Sequence, residues 1–208
     1  MAFTLQFPPH ISAEAPPPVL LHACCAPCSA AIVEMMLGKG LKPTVFFCNP
    51  NIYPEKEYTI RKEELQRFLQ RQGIDFADAD YDHRLWCDGI RGYEHEPERG
   101  HRCQLCFNMR LLATARYAAA HGFPLFTTTL ASSRWKDLNQ IAAAGRAAAQ
   151  AYPETHYWEQ NWRKGGLTER RAALLRENNF YNQQYCGCEY SLQQMIEWKK
   201  SKKENSAV

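Results

Sequence analysis

Seven of the nine cysteines in this 208-residue chain fall into three short groups. Cys24, Cys25 and Cys28 lie in HACCAPCS, Cys103 and Cys106 in RCQLC, and Cys186 and Cys188 in YCGC. In a reducing compartment such abundance points to metal binding or catalysis rather than a disulfide framework, and an odd count argues against complete pairing. Thiolates are soft ligands that suit iron-sulfur centres and zinc. Cysteines at i and i+3 share one helical face, so Cys103 and Cys106 can grip one centre. Two ligands from each of the first two groups would supply a full set of thiolates.

Other readings compete with this one. Small buried hydrophobes are the plain reading of a lone cysteine, but not of grouped ones. A structural zinc site is the stronger rival, although an adjacent Cys-Cys pair is an odd half-site for a zinc knuckle. Cys186 and Cys188 are separated by a single glycine, which permits the sharp turn a disulfide between them would need; so tight a ring would be readily reduced again. Ligation or inert burial remains open for that pair. Cys48 and Cys87 stand alone and read as buried thiols.

A scaffold must carry these groups. Val19 to Ala23, Thr44 to Cys48 and Leu125 to Leu130 read as buried strands, with a weaker candidate at Asp75 to Tyr81. Helical spacing fills Ser29 to Leu37, Glu55 to Gln72, Arg102 to His121 and Lys136 to Tyr152, and returns at Thr168 to Asn179 and Ser191 to Lys202. Strands alternating with helices imply a mainly parallel sheet covered by helices. The first cysteine group then lies between a strand and a helix, where an open α/β sheet has its ligand crevice and the helix points its positive end. We expect a Pro-rich, flexible arm over 1–18, one α/β catalytic domain over 19–200 ending in a helical segment, and a polar tail over 201–208.

A formal charge of +3 tolerates nucleic acid only as a local patch. No apolar run approaches the roughly 20 residues needed to cross a bilayer, and the N-terminal residues lack the basic start and apolar stretch of an export signal. A cytoplasmic protein without membrane contact is expected.

In order along the chain stand LLHACCAPCS, FFCNPNIYPEKEY, RCQLCFNMRL, FTTTLASSRWKD, WRKGG and NNFYNQQYCGCEYS. Together, from about Val19 to Leu192, they resemble the epoxyqueuosine reductases of the QueH type. The resemblance implies reduction of the epoxide of epoxyqueuosine at the wobble position of tRNA, the last step to queuosine. It implies a 4Fe-4S cluster held by Cys24, Cys25, Cys103 and Cys106, and a redox-active disulfide of Cys186 with Cys188. Some similar proteins have Asp where Cys28 stands, and there the position helps hold an extra metal, so an additional mononuclear iron or zinc at Cys28 is an expectation. An α/β fold related to the Rossmann-like adenine-nucleotide hydrolases is implied too. An ATP-using tRNA thiolase of that class is disfavoured, because Cys24-Cys25 stands where a Gly-rich phosphate loop would follow the first strand.

The expected partners are the tRNA anticodon loop and a low-potential electron donor, the protein itself being a monomer. Bases of such loops are stacked on aromatic rings and guanidinium planes. The stretch Tyr157 to Gly166 combines aromatics, cations and a flexible turn, and Arg163 and Lys164 are the candidate phosphate contacts. Arg61, Arg110 and Lys136 add charge beside other motifs. His22, Tyr185 and Tyr190 are candidate proton donors, with a backbone-bonded core histidine as the plainer reading of His22. The alternative function is a zinc-stabilised RNA-binding or adaptor module without catalysis.

Overall fold

A computed structural model describes residues 7–9, 11–12 and 15–205, the side chains of 203–205 excepted. The expected arm and tail therefore lie partly outside the described residues. Five strands, β1 (Val19–His22), β2 (Thr44–Phe47), β3 (Phe76–Asp78), β4 (Leu125–Thr128) and β5 (His156–Tyr157), form one sheet in the order β3-β2-β1-β4-β5, every pair parallel. The α/β expectation holds, and the order is that of a doubly wound sheet.

Helices α1 (Ala26–Gly38), α2 (Glu55–Arg71) and α6 (Leu167–Glu177) cover one face, and α4 (His101–Ala120) and α5 (Leu138–Ala151) the other. Strand alternation does the sorting. Val19, Leu21, Val45, Phe47 and Leu125 enter the first core, while Leu20, Phe46 and Phe126 enter the second. β1 and β4 are buried at every position, as parallel strands covered on both faces are. Two further helices are α3 (His83–Gly89), which packs against α4, and α7 (Glu189–Asn205). Of the expected arm, Phe7 stacks on Trp158 with ring centroids 4.7 Å apart, and Ile11 packs against the first core.

Local chemistry moves several boundaries away from the sequence expectation. α1 begins before Ser29 because Pro27, with no N–H to waste, sits in its first turn. α5 begins after Lys136 because Asp137 caps it, accepting from the N–H groups of Asn139 and Gln140. β4 stops at Thr128, whose hydroxyl accepts from Leu130 N–H and turns the chain into a 3-10 turn over Thr129–Ser132. No helix among the described residues is long and apolar enough to cross a membrane.

Candidate functional site

β1 is the central strand, with β2 on one side and β4 on the other, so chain connections diverge at its carboxyl end and open a crevice. Cys24 and Cys25 follow β1 directly, and Cys28 lies in the first turn of α1. Their sulfurs are within 4.8 Å of one another, Cys24 and Cys25 being 3.7 Å apart, and all three residues are buried. Hydrogen bonds from the Cys25 and Cys28 thiols hold the Cys24 thiol well below its ordinary range, aided by Lys136 and Arg110. Burial pushes Cys25 the other way, and the bond to Cys24 raises Cys28. Of the three, Cys24 is thus the thiol that gives up its proton most readily.

Cations surround it. The three sulfurs, Cys28 foremost, raise the Arg171 guanidinium, whose Nε donates to Pro27 O. Burial works against charge on Lys136 and Arg61, yet the thiols outweigh it: Cys186, Cys24 and Cys28 raise Lys136, and Cys25, Glu57 and Cys24 raise Arg61. Gln183 Nε2 donates to Cys25 Sγ at 3.1 Å, while its buried Oε1 has no partner.

Behind the trio lies a fixed frame. His22 is fully buried, and because Cys48 O can only accept, Nε2 donates to it at 3.0 Å, leaving Nδ1 to accept from Thr128 Oγ1 at 2.7 Å. Burial first, then Arg110, lowers its pKa to about 3. The ring stays neutral with both nitrogens occupied, so the plainer reading of His22 is the one the structure supports. Arg110 donates to Cys48 O and Asn49 Oδ1, and Asn49 Nδ2 donates to Ala23 O, tying α4 to the loop that carries Cys24.

The second group sits one helical turn apart near the start of α4. Cys103 accepts from Arg99 N–H and is pushed up to about 12 by burial. Burial also raises Cys106, against the pull of Arg110. Among the described residues the close-packed sulfur group is Cys24, Cys25 and Cys28, so Cys28 lies nearer the first pair than Cys103 and Cys106 do.

The third group comes from the segment before α7. Cys186 is exposed, Cys188 is buried, and all nine cysteines are free thiols. Arg61, held by Glu57, donates to Cys186 O and Tyr185 O, and Tyr53 N–H donates to Gly187 O. Cys188 Sγ donates to Ser191 Oγ at 3.4 Å, and burial pushes its thiol up to about 11. Tyr185 OH donates to Tyr53 O, and burial pushes Tyr190 up to about 12 against the opposing pull of Arg102, which lies over its ring.

One cavity of about 860 Å³ joins the groups, lined among others by Cys24, Cys28, Cys103, Lys136, Gln183 and Cys186. That is the size of a small-molecule site. Trp135, 64% exposed, stands in its lining, with Arg134 over its ring and Arg99 donating to both backbone carbonyls. Arg163 is turned inward, donating through Nη2 to Ser133 O and Lys136 O, whereas Lys164 is exposed. Sequence reasoning missed Arg171, Gln183 and Trp135. The motifs FTTTLASSRWKD and NNFYNQQYCGCEYS contained the last two, but nothing in spacing shows that an amide faces a thiol.

Residues 19–194 match the family model described as Epoxyqueuosine reductase QueH. The chain is 51% identical over 181 residues to the epoxyqueuosine reductase QueH of Haemophilus influenzae, covering 87% of this chain and 74% of that protein. It is 50% identical over 183 residues to the protein of the same name from Histophilus somni, covering 88% and 75%. Against that of Acinetobacter baylyi it is 48% identical over 183 residues, covering 88% and 84%.

Proposed function

The chain belongs to the epoxyqueuosine reductase QueH family, and on that premise we propose that it reduces the epoxide of epoxyqueuosine at the wobble position of tRNA, completing queuosine. The observation that carries this reading is the convergence of Cys24, Cys28, Cys103 and Cys186, from three distant stretches, on one cavity. The thiols fit an iron-sulfur centre: soft donors crowd together and cations stand around them, as an anionic cluster requires. Cys24, Cys25, Cys103 and Cys106 would hold a 4Fe-4S cluster, and Cys28 an additional mononuclear iron or zinc. A bound cluster would supply single electrons, and a metal at Cys28 would supply a Lewis acid.

Two electrons and two protons are required: both C–O bonds of the epoxide break, a C=C bond forms, and the oxygen leaves as water. Oxidation of the Cys186 and Cys188 thiols to a disulfide releases that number of each, and a low-potential donor must then reduce the disulfide. Lys136, a cation facing Cys24 and Cys186, is positioned to donate a hydrogen bond to the departing oxygen. Trp135 offers an exposed ring for the extruded base, Lys164 a phosphate contact, and Arg163 braces the loop bearing Trp135 and Lys136. A tRNA substrate puts the enzyme in the cytoplasm.

Anaerobic reconstitution with iron and sulfide, followed by an assay on epoxyqueuosine-containing tRNA, tests the reading. Brown protein that converts the modified base is expected, and Cys186→Ser should abolish turnover with iron content intact. Colourless protein holding stoichiometric zinc and lacking turnover would overturn it in favour of a zinc-stabilised module.

A further inference from the structure

Outside the cavity, His83, Cys87 and Glu189 bring an imidazole nitrogen, a thiol and a carboxylate oxygen within 4.8 Å of one another. His83 and Cys87 are four residues apart on α3 and so share one face. Glu189 is the first residue of α7 and reaches across to both. Its Oε1 lies 3.9 Å from His83 Nε2 and 3.8 Å from Cys87 Sγ.

The imidazole is pre-set for ligation. Its Nδ1 donates to Pro50 O at 2.8 Å, which leaves the Nε2 lone pair for the carboxylate side. A ring nitrogen bonded to a backbone carbonyl is the usual partner that fixes a metal-binding histidine. Tyr53, Tyr81 and Trp86 hold the ring at centroid distances of 5.3, 5.9 and 5.5 Å. The three side chains are partly exposed, so an ion can enter and solvent can reach a fourth position.

We propose that His83, Cys87 and Glu189 form a binding site for a borderline-soft divalent cation, Zn²⁺ in chemical class, separate from the thiols of the cavity. One nitrogen, one sulfur and one oxygen ligand match that class better than an iron-sulfur cluster or a hard, all-oxygen site. Cys87 gives up its thiol proton to solvent on ligation. The bound ion joins α3 to the residue directly after Cys188, and so anchors the base of the Cys186-Gly187-Cys188 turn. Binding at this site does not depend on the reductase reading.

Iron-loaded, chelator-washed protein titrated anaerobically with Zn²⁺ against a chromophoric competitor, with iron measured in parallel, tests the site. One equivalent should be taken up with iron unchanged. Cys87→Ser, His83→Gln and Glu189→Gln should each weaken that uptake by at least about tenfold, the least that losing even an outer partner of a metal ligand costs. Co²⁺ should give a tetrahedral visible spectrum whose sulfur charge-transfer band disappears in Cys87→Ser. Glu189→Gln, a change on a half-exposed helix end, carries the test should the α3 variants fail to fold. No added equivalent, uptake undiminished in Glu189→Gln, or uptake only as iron is lost would overturn the proposal.

Discussion

Cys186 and Cys188 are two residues apart yet meet opposite surroundings, one exposed on the cavity and the other buried against Ser191. Nucleophilicity follows access and thiolate fraction. In metal-free protein, iodoacetamide should therefore label Cys186 first, with Cys48 and Cys188, both pushed up to about 11, far behind; peptide mass mapping reads the order. A cation aimed at developing negative charge is worth about 100-fold or more in turnover. Lys136→Met should lose about that much in kcat with a smaller change in KM, measured on modified tRNA. The cysteines were legible because grouped thiols are the usual mark of metal or redox chemistry. Arg171 and Gln183 were not, since Arg and Gln are common on any surface and only the folded neighbourhood shows what they face.

At the level of elements, apolar runs revealed β1, β2 and β4, buried on both sides apart from Thr44, and the long periodic helices α2 and α4 emerged nearly to the residue. Two elements escaped. β5 is two residues long, too short for any period, and α3 is a seven-residue helix whose only buried residue is Trp86. The Cys186-Gly187-Cys188 turn shows why glycine separates the thiols: Gly187 has φ +140°, and a Cβ there would come within 3.2 Å of Asn51 Nδ2 and Ile52 Cγ1. Gly187→Ala should cost roughly 1–3 kcal/mol of stability, read as a lower denaturation midpoint, and reduce turnover by displacing Cys186.

For the whole molecule, strand and helix alternation sufficed to indicate a parallel sheet, whereas the strand order, which sets where the crevice opens, depends on long-range pairing that no local pattern encodes. Nucleic-acid binding is likewise a property of the assembled surface. Arg163 and Lys164 are adjacent in sequence, but one is spent on backbone carbonyls and the other is free to meet solvent. Lys164→Ala should flatten the slope of log affinity for tRNA against log salt by about 0.7–0.9, as the loss of one phosphate contact does. Trp135→Ala should weaken binding by about 1–3 kcal/mol and leave that slope alone, the signature of lost base stacking.

Arg61 links two parts of the molecule that are far apart in sequence: Glu57 grips it from the previous turn of α2, while its far end holds the carbonyls of Tyr185 and Cys186. The Cys186-Gly187-Cys188 turn is therefore moored to a seventeen-residue rod rather than hanging as a loose strap. The mooring point stands on α2 and the thiol on the cavity, so the helix fixes the backbone of a residue whose side chain lines the crevice.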